Sequence, residues 1–199
     1  MRHFDFLYSQ NADPWSARTS RNEAFKRRTV AYALGAQKLA SGLEIGCGNG
    51  VSTKALSPHF VKLSAIDGSR EAVTLARQAV VGLPNVRVTR ARLPPKLVVA
   101  SLDAVVANEV LYYLPRKELE MTVAEVHNGL KIGARLISAN HVQSFSDCNC
   151  TYAELLSVIR QRFGREARTI IGFGWHCVVF IKRASTSRRR GRSTRSQDR

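Results

Sequence analysis

Apolar residues fall in short blocks separated by polar, helix-compatible runs. The blocks at 43–45, 61–66, 86–89, 102–107 and 136–138 are rich in Val, Ile, Leu and Ala and too short for helices, so they read as buried strands. Between them, 52–56, 70–80, 117–130 and 153–163 read as helices, with Val123, Val126 and Leu130 on one side of the third. Pro58 limits the first, and Gly133 ends the third. A further helix over 23–39 precedes the first strand, with Phe25, Val30, Ala33 and Leu34 roughly on one face. Residues 1–20 read as polar and irregular, with a turn at Asp13-Pro14-Trp15. Two late strands, 168–171 and 177–181, flank Gly172 and Gly174. Strands alternating with helices and closing in a hairpin-like pair predict an α/β, doubly wound, mostly parallel seven-stranded sheet with an antiparallel edge strand.

The first strand runs into Leu43-Glu44-Ile45-Gly46-Cys47-Gly48-Asn49-Gly50. Open α/β sheets bind ligands at the carboxyl ends of their strands, and glycine lets backbone approach a ligand closely. The spacing excludes a dinucleotide fingerprint, whose third glycine would fall at Val51. Glu44, two residues before the first glycine, would repel a pyrophosphate and suits a cationic ligand. Asp67 ends the second strand, where an acid accepts hydrogen bonds from ribose hydroxyls.

Composition narrows the class. With 44% hydrophobic residues the chain can bury a core, and four cysteines make no disulfide scaffold. Cys148-Asn149-Cys150 has no second Cys/His pair at ligand spacing, so no metal site is expected. The longest apolar stretch is broken by Asp103, Asn108 and Glu109, against a transmembrane helix, and the first residues lack a signal-peptide pattern. The expected location is the cytoplasm. Net charge is +16, and residues 184–199 hold six Arg and one Asp with almost nothing apolar. The expected domain is therefore 1–183, followed by a basic, disordered tail.

Glu44-x-Gly46-x-Gly48-x-Gly50, Asp67, the segment Asn108-Glu109-Val110-Leu111-Tyr112-Tyr113-Leu114 and Leu130-Lys131-Ile132-Gly133-Ala134-Arg135-Leu136 together resemble class I S-adenosylmethionine-dependent methyltransferases, a Rossmann-like fold. Ile132 and Ala134 depart from that family's usual approach to strand 5. Asp13-Pro14-Trp15, the Glu- and Arg-rich helix before the first strand, Leu-Glu-Ile-Gly-Cys at 43–47 and Glu-Val-Leu-Tyr-Tyr-Leu at 109–114 resemble, more narrowly, the rhizobial nodulation protein S family. That family N-methylates the deacetylated chitooligosaccharide backbone of nodulation factors.

The resemblance implies S-adenosyl-L-methionine as cofactor and an oligosaccharide or other small-molecule acceptor. It places the end of strand 4 at the methyl group. Glu109 is then the candidate for orienting or deprotonating an amine, and Tyr112 or Tyr113 for a wall of the site. Expected cofactor contacts are Trp15 as a cover, Arg27 (or its neighbour Arg28) at the methionine carboxylate, Glu44, Gly46, Gly48, Gly50, Asp67 and Asn108. His141 faces the same rim and reads as a solvated loop histidine. Arg92 stands where the family often has an acid that accepts the adenine amine. The charge makes a nucleic-acid acceptor the weaker alternative, since 108–111 is not the Asn/Asp-Pro-Pro-aromatic string associated with base methylation. A non-catalytic cofactor-binding homologue is the other. Truncation after Arg183 is expected to leave melting temperature and methyl transfer to oligosaccharide unchanged; thermal melting and an activity assay of the shortened chain check this.

Overall fold

The computed structural model describes residues 2–95 and 101–184, so the expected tail falls, apart from Ala184, outside the described residues. Seven strands form one sheet: β1 (Leu39–Ile45), β2 (Phe60–Asp67), β3 (Val86–Arg90), β4 (Leu102–Asn108), β5 (Leu130–His141), β6 (Arg168–Ile171) and β7 (Trp175–Ile181), in the order β3-β2-β1-β4-β5-β7-β6. The first five pair in parallel, and β7 runs antiparallel between β5 and β6. From β1 the chain steps outward one way to β3, then returns to β4 and steps the other way. The reversal lies between β1 and β4, and the crevice at their carboxyl ends is the natural ligand site of such a sheet.

Helices cover both faces: α2 (Arg21–Ala33), α3 (Val51–Leu56), α4 (Arg70–Ala79), α5 (Arg116–Gly129) and α6 (Tyr152–Phe163), with α1 (Arg2–Gln10) preceding them. The period of two along the strands sorts the core. Val105 and Ala107 of β4 pack with Leu119 and Val123 of α5 and with Leu155 and Ile159 of α6. Ala104 and Val106 point the other way, toward Val30 and Ala33 of α2 and the buried Trp175. Each fully buried side chain of Val or Leu size contributes about 1.5–3 kcal/mol. Local chemistry starts the helices. Ser20 and Ser69 accept the N–H groups of Glu23 and Ala72, and Thr151 with Glu154 forms a reciprocal capping box.

Four elements differ from the sequence reading. Residues 2–10 are helical rather than irregular: Phe4, Leu7 and Tyr8 share the i, i+3, i+4 face that α1 turns inward. Helix α2 ends at Ala33 instead of reaching 39, because Gly35 at φ +87° turns the chain and Leu39 already pairs with Phe60. β1 begins four residues early, and its Gly42 leaves room for the Phe60 ring, which would overlap any side chain there. β5 runs from Leu130 instead of 136. Gly133, expected only to end α5, lies inside the strand at φ +82°, its N–H bonded to the Lys182 carbonyl near a register shift against β4.

Candidate active site

The loop after β1 is wound tightly over the end of β2. The N–H groups of Gly46 and Cys47 both donate to the Ile66 carbonyl, at 2.8 and 3.1 Å, and that of Gly48 donates to Asp67 Oδ2 at 3.0 Å. Gly46, Gly48 and Gly50 all have positive φ, which explains glycine at each. Their roles divide. Gly46 and Gly48 line a cavity of about 840 Å³, within the range of small-molecule sites. Gly50, expected at the cofactor, does not line it: a Cβ there would lie 2.7 Å from the Ala76 Cα, so this glycine lets α3 start against α4.

Asp67 reaches the same cavity. Its Oδ1 accepts the Ser69 N–H at 2.8 Å. Burial pushes its pKa up, against the backbone N–H groups of Ser69, Gly48 and Gly68. Glu44, expected at a cationic group, lies beneath the cavity and not on its wall. It is 1% exposed, and its Oε2 accepts the Thr53 hydroxyl at 2.5 Å. Burial raises its pKa to about 8, so the folded protein favours the neutral acid at neutral pH.

The N-terminal segment closes the other side. Phe4, Tyr8 and Trp15 line the cavity, with ring centroids of Tyr8 and Trp15 5.5 Å apart and of Phe4 and Tyr113 5.0 Å apart. Polar contacts fix this cover. Asp5 accepts the Ser69 hydroxyl (2.6 Å) and the Arg70 N–H (2.7 Å), and Asn49 donates to Asp13 and to the Ala12 carbonyl (both 3.0 Å). Asp13 in turn accepts the N–H groups of Ala17 and Arg18.

Glu109 is the centre of the opposite wall. It sits just beyond β4 at φ +52°, a left-handed conformation that costs a non-glycine residue on the order of 1 kcal/mol or more. Its Oε1 meets the Lys26 ammonium and His141 Nδ1, the latter at 2.7 Å. Its Oε2 accepts the Tyr112 hydroxyl at 2.8 Å and the His141 N–H at 3.1 Å. Burial alone would raise its pKa, but the His141 hydrogen bond and the Lys26 charge outweigh burial and hold it below the usual carboxylate range. Tyr112 is 5% exposed, and burial beside Glu109 raises its pKa, so its proton stays on the phenol. Tyr112, Tyr113, Asn108 and His141 all line the cavity, and Asn108 Oδ1 is buried without a partner among the described residues.

Arg27 does not line this cavity. Its guanidinium donates to the Ala17 carbonyl, and it borders a small crevice with Val30 and Leu56. Its neighbour Lys26 does reach the cavity, fully buried between Glu23 (2.8 Å) and Glu109, and is overlooked in the sequence. Its signal is helical spacing: Lys26, Thr29, Val30 and Ala33 form the buried face of α2, whereas Arg27 is one step off it. His141 is the other underrated residue; it ends β5 instead of lying in a solvated loop. No group of three or more His, Cys, Asp or Glu that could hold a metal occurs among the described residues, and none of their helices is long and apolar enough to cross a membrane.

A methyltransferase-domain family matches residues 43–136. Nodulation protein S of Rhizobium tropici is 28% identical over 177 residues, covering 86% of this chain and 68% of the relative. Nodulation protein S of Bradyrhizobium diazoefficiens is 30% identical over 116 residues, covering 56% of this chain and 54% of the relative. The fold matches that of the N-methyltransferase NodS from Bradyrhizobium japonicum WM9, solved in complex with S-adenosyl-L-homocysteine, with a TM-score of 0.82 at 19% identity over 91% of this chain and 97% of that one. Glycine loop, strand-2 acid, strand-4 segment and sheet order thus agree with the relatives on one assignment: the chain is a class I S-adenosylmethionine-dependent methyltransferase that resembles nodulation protein S.

Proposed function

We propose that the chain transfers a methyl group to the free amine of a deacetylated chitooligosaccharide, as the resembled family does. The observation that carries this reading is the Glu109–His141 pair, held on the wall of the same cavity that Gly46, Gly48 and Asp67 line. A fixed anion and an imidazole beside a cofactor pocket suit an acceptor that arrives as an ammonium.

The residues present fit S-adenosylmethionine. The backbone at Gly48 is bare toward the cavity, where an added Cβ would lie 2.5 Å from the Tyr8 hydroxyl. Asp67 offers a carboxylate to a vicinal diol. The unpartnered Asn108 Oδ1 offers an acceptor to an ammonium or amide donor. The cofactor supplies a methyl group already activated on a sulfonium. This chain must orient the acceptor nitrogen and exclude water, which can lower a barrier by roughly 7–11 kcal/mol in well-oriented systems. Trp15, Tyr8, Phe4 and Tyr113 are the water-excluding walls, and Glu109 is the fixed charge toward which the amine orients. Adenine lies, in this reading, against Ala91, Arg92 and Leu93, all of which line the cavity.

Asp67→Ala should weaken S-adenosylmethionine binding by about 1.5–3 kcal/mol through lost charge-assisted hydrogen bonds. Gly48→Val should weaken it more, because a β-branched residue is strained at φ +54° and meets Tyr8. Calorimetry on both variants checks this, and wild-type affinity in both contradicts it. For the acceptor, labelled methyl should reach chitooligosaccharide with a free amine and not its fully acetylated form, whose nitrogen lone pair is delocalised into the carbonyl. Methylation of RNA with neither saccharide accepted overturns the oligosaccharide reading.

A further inference from the structure

We propose that His141, through Nε2, is the proton acceptor for the substrate amine, and that Glu109 is its positioning residue. The inference rests on the amine-acceptor reading above. Both oxygens of Glu109 are already engaged, by Lys26, His141 Nδ1, the Tyr112 hydroxyl and the His141 N–H. A carboxylate so engaged is a poor base, and it accepts only, so Nδ1 of His141 must carry the ring proton. That fixes the tautomer and leaves the Nε2 lone pair as the free one. His141 lines the cavity and its side chain is 28% exposed, so an incoming ammonium can reach it.

Charged groups border the cavity beside the ring. Glu23 and Glu109 supply two negative charges and Lys26 one positive, all at the cavity wall. Asp67 and Arg92 line the same cavity. Tyr112 and Tyr113 add no charge, since burial raises the pKa of both phenols. Glu118 and Asp147 border the same cavity. In the step proposed, the ammonium N–H bond breaks and its proton moves to Nε2. The electron pair stays on nitrogen as the lone pair that would form the C–N bond while the C–S bond of the sulfonium breaks and its pair goes to sulfur, and the imidazolium releases the proton to solvent after the product leaves. Nothing is oxidised or reduced. The arrangement is a base held in tautomer and orientation by a partly buried carboxylate.

Nitrogen-15 NMR of the cofactor-free chain, together with acceptor assays, tests the proposal. The wild-type His141 ring should show the Nδ1–H tautomer, and Glu109→Gln should shift its tautomer signature. His141→Ala should keep S-adenosylmethionine binding by calorimetry, lose turnover of the deacetylated oligosaccharide by roughly 10²–10⁴-fold, and regain part of it with added imidazole. Glu109→Gln should lose turnover without imidazole rescue. His141→Gln, which keeps a donor for Glu109, guards against misfolding and should be as slow as His141→Ala. An Nε2–H tautomer, or His141 variants within threefold of an active wild type, overturns the role of His141 alone. A folded, cofactor-binding wild type inert toward every amine tested overturns the acceptor reading and this inference with it.

Discussion

Lys26 and Glu109 form an ion pair on one wall of the cavity, with the ammonium wholly out of water. Burying such a charge costs several kcal/mol unless geometry and further hydrogen bonds offset it. Here both partners have further contacts: Lys26 has a second carboxylate in Glu23, and Glu109 has Tyr112 together with the backbone N–H and Nδ1 of His141. The pair ties α2, an element that precedes the sheet in the chain, to the loop beyond β4. It also holds Glu109 in a backbone conformation that the residue would otherwise leave. Position of the helix, shape of the loop and ionisation of the carboxylate are therefore one constraint.

The opposite wall is held differently. The segment from Arg2 to Ser20 contributes three aromatic rings to the cavity, and its attachments are the Phe4–Tyr113 ring contact and individual hydrogen bonds: Asp5 to the start of α4, Asn49 to Asp13, and Arg27 to the Ala17 carbonyl. Each such bond adds about 0.5–1.5 kcal/mol, or more where a charge is involved. The β1–β4 side is built into the sheet, with hydrophobic packing on both faces. One half of the cavity thus belongs to the core and the other is fastened onto it.

How much of this was legible in the sequence follows from what each signal measures. Strands buried on both faces write continuous apolar runs, which makes β4 and β7 legible within a few residues, and the glycine spacing locates the first crossover. Gly46, Gly48, Asp67, Asn108, Glu109 and Tyr112 all line the cavity because chain geometry puts the ends of parallel strands on one rim. Glu44 and Gly50 share that loop, but strand alternation turns the first into the interior and helix packing occupies the second. The chemistry of carboxylate recognition points to Arg27 or Arg28, whereas helix phase, which decides which side chain faces inward, selects Lys26. The helix at the N-terminus was obscured because its apolar face is only three residues wide and half-buried.

The most direct measurement of the central constraint is a double-mutant cycle on stability with Lys26→Met, Glu109→Gln and the double variant, read by urea denaturation. A buried pair broken from one side leaves an uncompensated charge, so each single variant should lose about 3–5 kcal/mol, and the double variant distinctly less than the sum of the two. Single losses below about 1 kcal/mol that simply add would mark the pair as an ordinary surface contact. Glu109 would then not be held by Lys26, and that wall of the cavity would need another anchor.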